Sequence, residues 1–179
     1  LCFVSIYRVF PVINWRIRMK ILIAYYSKTG VTKRLAEKLS SKLGAEIEVL
    51  IDKKKRSGIL GWIFGGRDGM KKNPTEIGKI KHDPSKYDVV IVGGPLWGFN
   101  SVAPAARTFL TQNIDKIRKV AFFMTRGGAK PSTAALLDLK DVSSGKALDD
   151  TLDLRESELD SDISREKIEI FAKVIEKIK

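Results

Sequence analysis

Three short runs of apolar residues constrain what this 179-residue chain can fold into. They are residues 21–26 (ILIAYY), 89–92 (VVIV) and 120–124 (VAFFM), and none of them alternates with polar residues. A strand that is apolar at every position is typical of a parallel sheet with helices on both faces, because both sides of the strand are then covered. The runs therefore predict three central strands of an α/β protein.

Helical patterns fill most of the intervals between these runs. Apolar residues spaced three or four apart predict a helix over 31–43 that stops at Gly44. We expect Pro104 and Pro131 in the first turns of two further helices, where the missing N–H of proline costs nothing. A last helix presents an apolar face over 168–178.

Two weaker strands complete the alternation. Residues 45–51 alternate between apolar and polar side chains and predict the second strand, and a fifth strand is expected within 145–154. Strands that alternate with helices through right-handed crossovers form a doubly wound sheet. The expected fold is a three-layer α/β sandwich around a five-stranded parallel sheet.

The interval between the second and third strands departs from this alternation. Residues 52–83 should carry a crossover helix, but they contain a basic run at 53–56 and an apolar stretch with Trp62 and Phe64. A connection of this length without periodicity is usually functional or mobile. Its two aromatic side chains either pack under the sheet or form an exposed binding patch.

The first eighteen residues differ in pattern from the rest of the chain. Arg8 and Pro11 interrupt their apolar run, which is too short for a membrane span, and the run lacks the features of an export signal. We expect 1–18 to be a non-native or dispensable leader, followed by a single domain over 19–179 in a cytoplasmic protein. The alternative is an apolar arm that packs on this subunit or on a partner.

The scarcity of cysteine and histidine excludes several kinds of chemistry. With Cys2 as its one thiol, the chain cannot form an internal disulfide or a cysteine-ligated iron–sulfur or zinc centre. A histidine-based triad would depend on His82 alone. If the protein is an enzyme, a bound cofactor is expected to supply its reactivity.

The net charge of +12 lies almost entirely in residues 1–85. A basic surface favours an acidic partner, and the alternative is a solvated face without a partner. The basic run at 53–56 lacks the interleaved aromatic residues of a nucleic-acid module, so no nucleic acid is expected.

An anion-binding loop is predicted directly after the first strand. Gly30 permits a tight turn, and the helix that follows offers unpaired N–H groups and the positive end of its dipole. The hydroxyls of Ser27, Thr29 and Thr32 can donate to the oxygens of one anion. The loop lacks the glycine patterns of triphosphate and dinucleotide sites, so it predicts a single phosphate on a small ligand. The alternative is an ordinary capped helix start.

Two further loops are predicted at the same edge, since ligands of open parallel sheets bind at the carboxyl ends of the strands. Residues 93–100 (GGPLWGFN) follow the third strand and bring Trp97, whose indole can stack on a flat conjugated ring or close the core. Residues 125–129 (TRGGA) follow the fourth strand, and their glycines allow the backbone to approach a ligand. Arg126 either adds charge there or faces water.

These three loops, after the correct strands and in the correct order, resemble the cofactor loops of the flavodoxin family over residues 20–179. The resemblance implies FMN as cofactor, a strand order of 2-1-3-4-5 and a redox role. The residues it implies for the phosphate are Ser27, Lys28, Thr29, Gly30, Val31 and Thr32. Those it implies around the flavin ring are Pro95, Leu96, Trp97, Gly98, Phe99 and Asn100 on one side, and Thr125, Arg126, Gly127 and Gly128 on the other.

The chain departs from the family pattern in two respects. It is strongly basic where electron-carrier flavodoxins are acidic, and it has no aromatic residue at 126–128 to cover the second ring face. That face is open, or is covered by the 52–83 segment or by another subunit of an oligomer. Three functions stay open: an electron-transfer protein with an acidic protein partner, an FMN-dependent NAD(P)H oxidoreductase of the quinone or flavin reductase type, and a flavodoxin-fold binding protein without redox activity.

Overall fold

The computed structural model of the protein describes residues 19–54 and 74–178, apart from the side chain of Phe99. The leader expected over 1–18 lies outside these residues, and so does most of the 52–83 interval with Trp62 and Phe64. The expectations about both segments stay predictions.

The described residues form six strands. They are β1 (Ile21–Tyr25), β2 (Glu46–Val49), β3 (Val89–Trp97), β4 (Ser101–Val102), β5 (Val120–Arg126) and β6 (Ala147–Arg155). Five of them are parallel in the order β2-β1-β3-β5-β6, and β4 pairs antiparallel with the end of β3. Because β5 and β6 are the fourth and fifth predicted strands, the predicted order is confirmed, with one short strand added.

Four helices are described: α1 (Val31–Leu43), α2 (Pro104–Asn113), α3 (Thr133–Asp141) and α4 (Asp162–Glu176). Gly44 ends α1 in the left-handed conformation, with φ of 62°, and Pro104 opens α2, as predicted. The prediction that Pro131 opens a helix is wrong, because α3 begins at Thr133. The carboxylate of Asp153 accepts bonds from both the N–H and the hydroxyl of Ser132, which sets the helix start two residues after the proline.

Helices cover both faces of the sheet. α1 and α4 pack on one face in a core that includes Ile23, Leu35 and Phe171, and α2 and α3 pack on the other face in a core that includes Leu22 and Phe109. Successive residues of β1 therefore enter opposite cores. This is why the strand is apolar at every position.

β3 is longer than predicted. The sequence suggested a loop from Gly93 onward, yet the strand continues through Trp97, which pairs with Ser101 of β4. Gly93 does not mark a turn: a Cβ atom there would lie 2.0 Å from the ring of Phe123, so the packing of β5 against β3 requires glycine. Residues 93–97 are therefore part of the sheet.

Candidate functional site

The N-terminus of α1 lies directly after β1, at the carboxyl edge of the sheet. Gly30 has φ of 91°, in the left-handed region that favours glycine, and its N–H donates to the Ser27 hydroxyl at 3.1 Å. No side chain caps the helix, and the Arg34 N–H is the one that reaches the Gly30 carbonyl. Within the described residues, the N–H groups of 31–33 have no acceptor, and they lie at the positive end of the helix dipole. This arrangement suits an anion.

Thr32 connects this helix start to β5. Its hydroxyl lies 2.7 Å from the hydroxyl of Thr125, and both side chains are buried. Thr32 was predicted as an anion donor and Thr125 as a ring-side residue, so the bond joins two regions that the sequence treats as separate. One of the two hydroxyl hydrogens is used in this bond, and the other is left for a second acceptor.

A cavity of about 440 Å³ opens beside the ends of β3 and β5. This volume is in the range of small-ligand sites. The residues that line it are Leu96, Trp97, Gly98, Asn100, Arg126, Gly127, Gly128, Ala129 and Lys130. Seven of these nine were predicted as ring-side residues from the sequence.

Trp97 forms one wall of this cavity and is held in place by its neighbours. The expectation that it lies past the strand is wrong, because it is the last residue of β3 and only 7% of it is exposed. Its ring lies 6.1 Å from that of Tyr26, tilted by 50°, and the Lys28 ammonium lies 5.9 Å from its centroid. The indole therefore connects the cavity to the loop before α1.

Arg126 neither faces water nor adds a free charge to the cavity. Its side chain is 10% exposed, and its Nε donates to both carboxylate oxygens of Asp153, at 2.9 and 3.1 Å. Its Nη1 donates to the carbonyl oxygens of Gly128 and Ala129, at 2.8 and 3.2 Å. The guanidinium therefore shapes the segment that follows β5.

That segment, residues 127–130, is named here the glycine loop. Within the described residues, its N–H groups donate to no protein acceptor. A Cβ atom added at Gly127 or at Gly128 would meet no atom within 4 Å. The loop thus offers free donors and open space on the same side of the cavity, which suits a ligand edge with acceptor oxygens.

The predicted site residues form two neighbouring groups. The anion-side residues 27–32 lie at the start of α1, and most ring-side residues line the cavity. Pro95 and Thr125 are paired within the sheet beside the cavity, and the side chain of Phe99 is not described. Two residues of the site were not predicted from the sequence: Lys130, which could have been found by extending the loop, and Asp153, which has no local sequence signal.

The single histidine lies away from this site. His82 Nδ1 is 2.8 Å from a carboxylate oxygen of the buried Glu48, and its Nε2 is 3.4 Å from Glu46, on β2 at the edge of the sheet. Burial, with a hydrogen bond to Glu46, raises the pKa of the nearby Tyr87 to about 12. No cluster of three or more histidine, cysteine or acidic residues suited to a metal ion occurs among the described residues.

A larger groove of about 770 Å³ lies between α1 and α4, but its charges are matched. Lys38 and Arg34 both bind Asp160 and hold the pKa of its carboxyl below the usual range. Lys42 binds Glu169, whose pKa is lowered in the same way. We therefore place the candidate site at the smaller cavity, where open donors occur. None of the helices in the described ranges is long and apolar enough to cross a bilayer.

Comparisons with known proteins agree with this geometry. The profile of the flavodoxin family matches residues 20–166, whereas none of the curated proteins matches the chain. Among solved structures, a flavoprotein from Lactobacillus acidophilus in complex with FMN is 25% identical, with a TM-score of 0.65 over 79% of this chain and 97% of that one. Oxidised flavodoxin 2 from Bacillus cereus is 20% identical, with a TM-score of 0.58 over 89% and 99% of the two chains.

A third likeness reaches only part of a longer protein. Rubredoxin oxygen:oxidoreductase from Desulfovibrio gigas is 17% identical, with a TM-score of 0.52 over 87% of this chain and 35% of that one. At this identity the likeness shows the shared fold. Since the family profile spans most of the chain and the sheet order is that of the fold, this protein belongs to the flavodoxin family.

Proposed function

We propose that this chain binds FMN and exchanges electrons with a protein partner. The observation that carries the proposal is the cavity at the ends of β3 and β5, which is joined to the uncapped start of α1 through Thr32 and Thr125. Family membership and the likeness to a flavoprotein in complex with FMN support the choice of cofactor.

The donor set at the start of α1 fits the phosphate of FMN. The open N–H groups of 31–33 and the hydroxyls of Ser27 and Thr29 are all donors, and the described part of this loop brings no carboxylate. Bonds from such donors to a doubly charged phosphate are charge-assisted and strong. The Lys28 ammonium adds a positive charge on the same loop.

The cavity fits the ring system of FMN. Trp97 supplies an aromatic wall, and the glycine loop supplies unpaired N–H groups and room for close approach. When bound, the ring accepts and donates the electrons, and the protein supplies position and electrostatics. The role of this chain's residues is to bind the phosphate, orient the ring between the two walls and exclude water from the buried side.

An anionic partner is supported by the charges at the rim. Lys130 lines the cavity and Lys28 lies over the ring of Trp97, which forms its wall, and both are exposed. The residues that line the described cavity include no carboxylate, and Asp153, which contacts one of them, is ion-paired with Arg126. Opposite charges speed encounter, and salt screens this effect. The protein's net charge of +12 has the same sign.

The test begins with the visible spectrum of the purified protein and titration with FMN. The dithionite-reduced holoprotein is then mixed with two small oxidants, anionic ferricyanide and cationic hexaammineruthenium(III). We expect added salt to slow the reaction with ferricyanide and to speed the reaction with the cation. Salt effects of the opposite sign would contradict an anionic partner, and a protein that takes up no FMN would contradict the whole proposal.

A second candidate function is an FMN-dependent NAD(P)H oxidoreductase. The glycine loop carries no aromatic side chain, so in the described residues this wall leaves one approach to the ring uncovered for a second substrate. Oxidation of NADH or NADPH by the holoprotein, followed at 340 nm with a quinone as acceptor, distinguishes the two functions. Rapid turnover favours the oxidoreductase, and no turnover favours the electron carrier.

A further inference from the structure

Arg126 lines the cavity, yet its bonding differs from that of a ligand-binding cation. The hydrogens on Nε and Nη1 are committed to protein oxygens, on Asp153, Gly128 and Ala129. The planar guanidinium can serve these acceptors together because its donors are fixed in a fork. The two hydrogens on Nη2 have no protein acceptor in the described residues, but with only 10% of the side chain exposed the guanidinium presents a small surface to a ligand.

We propose that Arg126 is a positioning residue for the cofactor, which acts through the glycine loop instead of binding the ring itself. This inference rests on the proposed function, since FMN is the ligand whose affinity it concerns. It assigns a role to an ion pair that sequence motifs do not reveal.

The first argument is the direction of the loop's polar groups. The carbonyl oxygens of Gly128 and Ala129 accept bonds from the Arg126 guanidinium, while the N–H groups of 127–130 have no acceptor among the described residues. Arg126 thus engages the loop's acceptors and leaves its donors open. A ring edge with carbonyl oxygens requires donors, so removal of the guanidinium would disturb the donor pattern that recognises it.

The second argument is how the ends of the loop are fixed. Asp153, on β6, accepts two bonds from Arg126 and two from Ser132, whose N–H and hydroxyl lie 2.9 and 3.2 Å away. One carboxylate therefore holds the residue before the glycine loop and a residue just after it. Fixing both ends lowers the entropy that the loop would lose when a ligand binds.

The chain offers a matched control in the pair between Arg107 and Asp138. Arg107 Nε donates to Asp138 at 2.9 Å, and the two side chains are 18% and 14% exposed, compared with 10% and 20% for Arg126 and Asp153. This pair joins α2 to α3 and does not line the cavity. A substitution that weakens this pair should lower the free energy of unfolding without changing the affinity for the ligand.

The experiment compares Arg126→Lys with Arg107→Lys in the full chain. Lysine keeps the charge, but its donors sit on a single nitrogen and cannot reproduce the spaced fork with which Arg126 reaches Asp153 through Nε and two carbonyl groups through Nη1. We expect Arg126→Lys to weaken the binding of FMN and riboflavin alike by at least about tenfold, because the loop faces the ring and not the phosphate. We expect Arg107→Lys to change either affinity by less than about twofold. Affinities are measured by flavin fluorescence, and hydrogen exchange of 127–130 in the unliganded protein should be faster in Arg126→Lys alone.

Several outcomes would overturn the inference. They are unchanged flavin affinity in Arg126→Lys, an equal loss in both variants, and a loss confined to FMN with riboflavin unaffected. If Arg126→Lys does not fold, Asp153→Asn is judged by the same criteria, since it weakens the ion pair between Arg126 and Asp153 and keeps the side-chain volume. If the unaltered protein binds no flavin, the proposed function fails and the inference fails with it. If the protein binds flavin but loss of the Arg126–Asp153 ion pair does not change the affinity, only the inference is overturned.

Discussion

The hydroxyls of Thr32 and Thr125 lie 2.7 Å apart although 93 positions separate the two residues in the chain. Thr32 stands in the first turn of α1 and Thr125 near the end of β5, and they are 1% and 2% exposed. A polar contact this deeply buried has to be matched on both sides. It therefore ties the position of the anion-side donors to the strand that leads into the glycine loop.

The Thr32–Thr125 bond predicts non-additive effects on stability. Thr125→Val is nearly isosteric and leaves the Thr32 hydroxyl buried without its partner, so it should lower the free energy of unfolding by about 1–3 kcal/mol. Thr32→Val should act similarly, and the double variant should lose clearly less than the sum, because no unmatched hydroxyl remains. Urea denaturation of all four proteins measures the coupling. Strictly additive losses would show that the two hydroxyls do not interact.

Gly127→Ala separates ligand binding from folding. A Cβ atom there meets no protein atom within 4 Å, so the substitution should leave stability unchanged or raise it slightly in the ligand-free protein. In the holoprotein the added methyl group would occupy space beside the ring, and FMN affinity should fall. Gly93→Ala is the contrasting variant, because its Cβ would overlap the Phe123 ring and should destabilise the fold itself. Thermal melts with and without FMN test both, and equal FMN affinity in Gly127→Ala would remove the glycine loop from the site.

Thr29→Ala tests the phosphate end. The Thr29 side chain is exposed, so its loss should leave stability nearly unchanged. A charge-assisted hydrogen bond is worth about 1.5–3 kcal/mol, so FMN affinity should fall roughly tenfold to a hundredfold. Riboflavin, which lacks the phosphate, should bind as before. Thr111→Ala, which removes an exposed hydroxyl bonded only to carbonyl oxygens of α2, is the matched control and should affect neither ligand.

The raised pKa of Tyr87 predicts that the folded protein loses stability in alkaline solution. Burial and a hydrogen bond to Glu46 raise its pKa in the folded protein from the ordinary value of 10.0 to about 12. The stabilisation is complete below pH 10 and is lost as pH rises from about 10 to 12, because the unfolded chain releases the phenolic proton first. Tyr87→Phe should remove this part of the pH dependence, as measured by urea denaturation at stepped pH. A spectrophotometric titration in which all tyrosines ionise near pH 10 would refute the raised pKa.

The strands themselves could be predicted because they rest on local patterns, whereas their order in the sheet was implied only by the family resemblance. The fully apolar residues 21–26 and 120–124 indicate strands covered on both faces, and Gly44 marks a helix end by its left-handed backbone. Gly93 is part of a strand although its sequence context predicted a loop, because a glycine that makes room for Phe123 cannot be distinguished by sequence from a glycine that makes a turn. The strand extension to Trp97 was therefore missed.

For the site, the sequence predicts which loops take part but not which side chains in them bond to distant residues. Serine, threonine and glycine at the strand ends identify the anion-side residues and most of the cavity. The bonds that organise them connect distant positions: Arg126 meets Asp153 27 residues away, and Thr32 meets Thr125 93 residues away. Such partners depend on how distant strands and helices pack in the folded protein, and the sequence around one residue does not show which distant residue it will meet.

The extension of β3 has a consequence for how a ligand would enter and leave. Trp97 is fixed by its pairing with Ser101 and by the core of the sheet, so this wall should open only when much of the protein unfolds. The opposite wall, the glycine loop, has exposed residues and is held by Arg126 through two carbonyl oxygens. Fluctuations of that loop cost far less free energy than strand opening. The dissociation rate of the cofactor should therefore follow the local exchange rate of residues 127–130 and be nearly independent of the global stability of the fold.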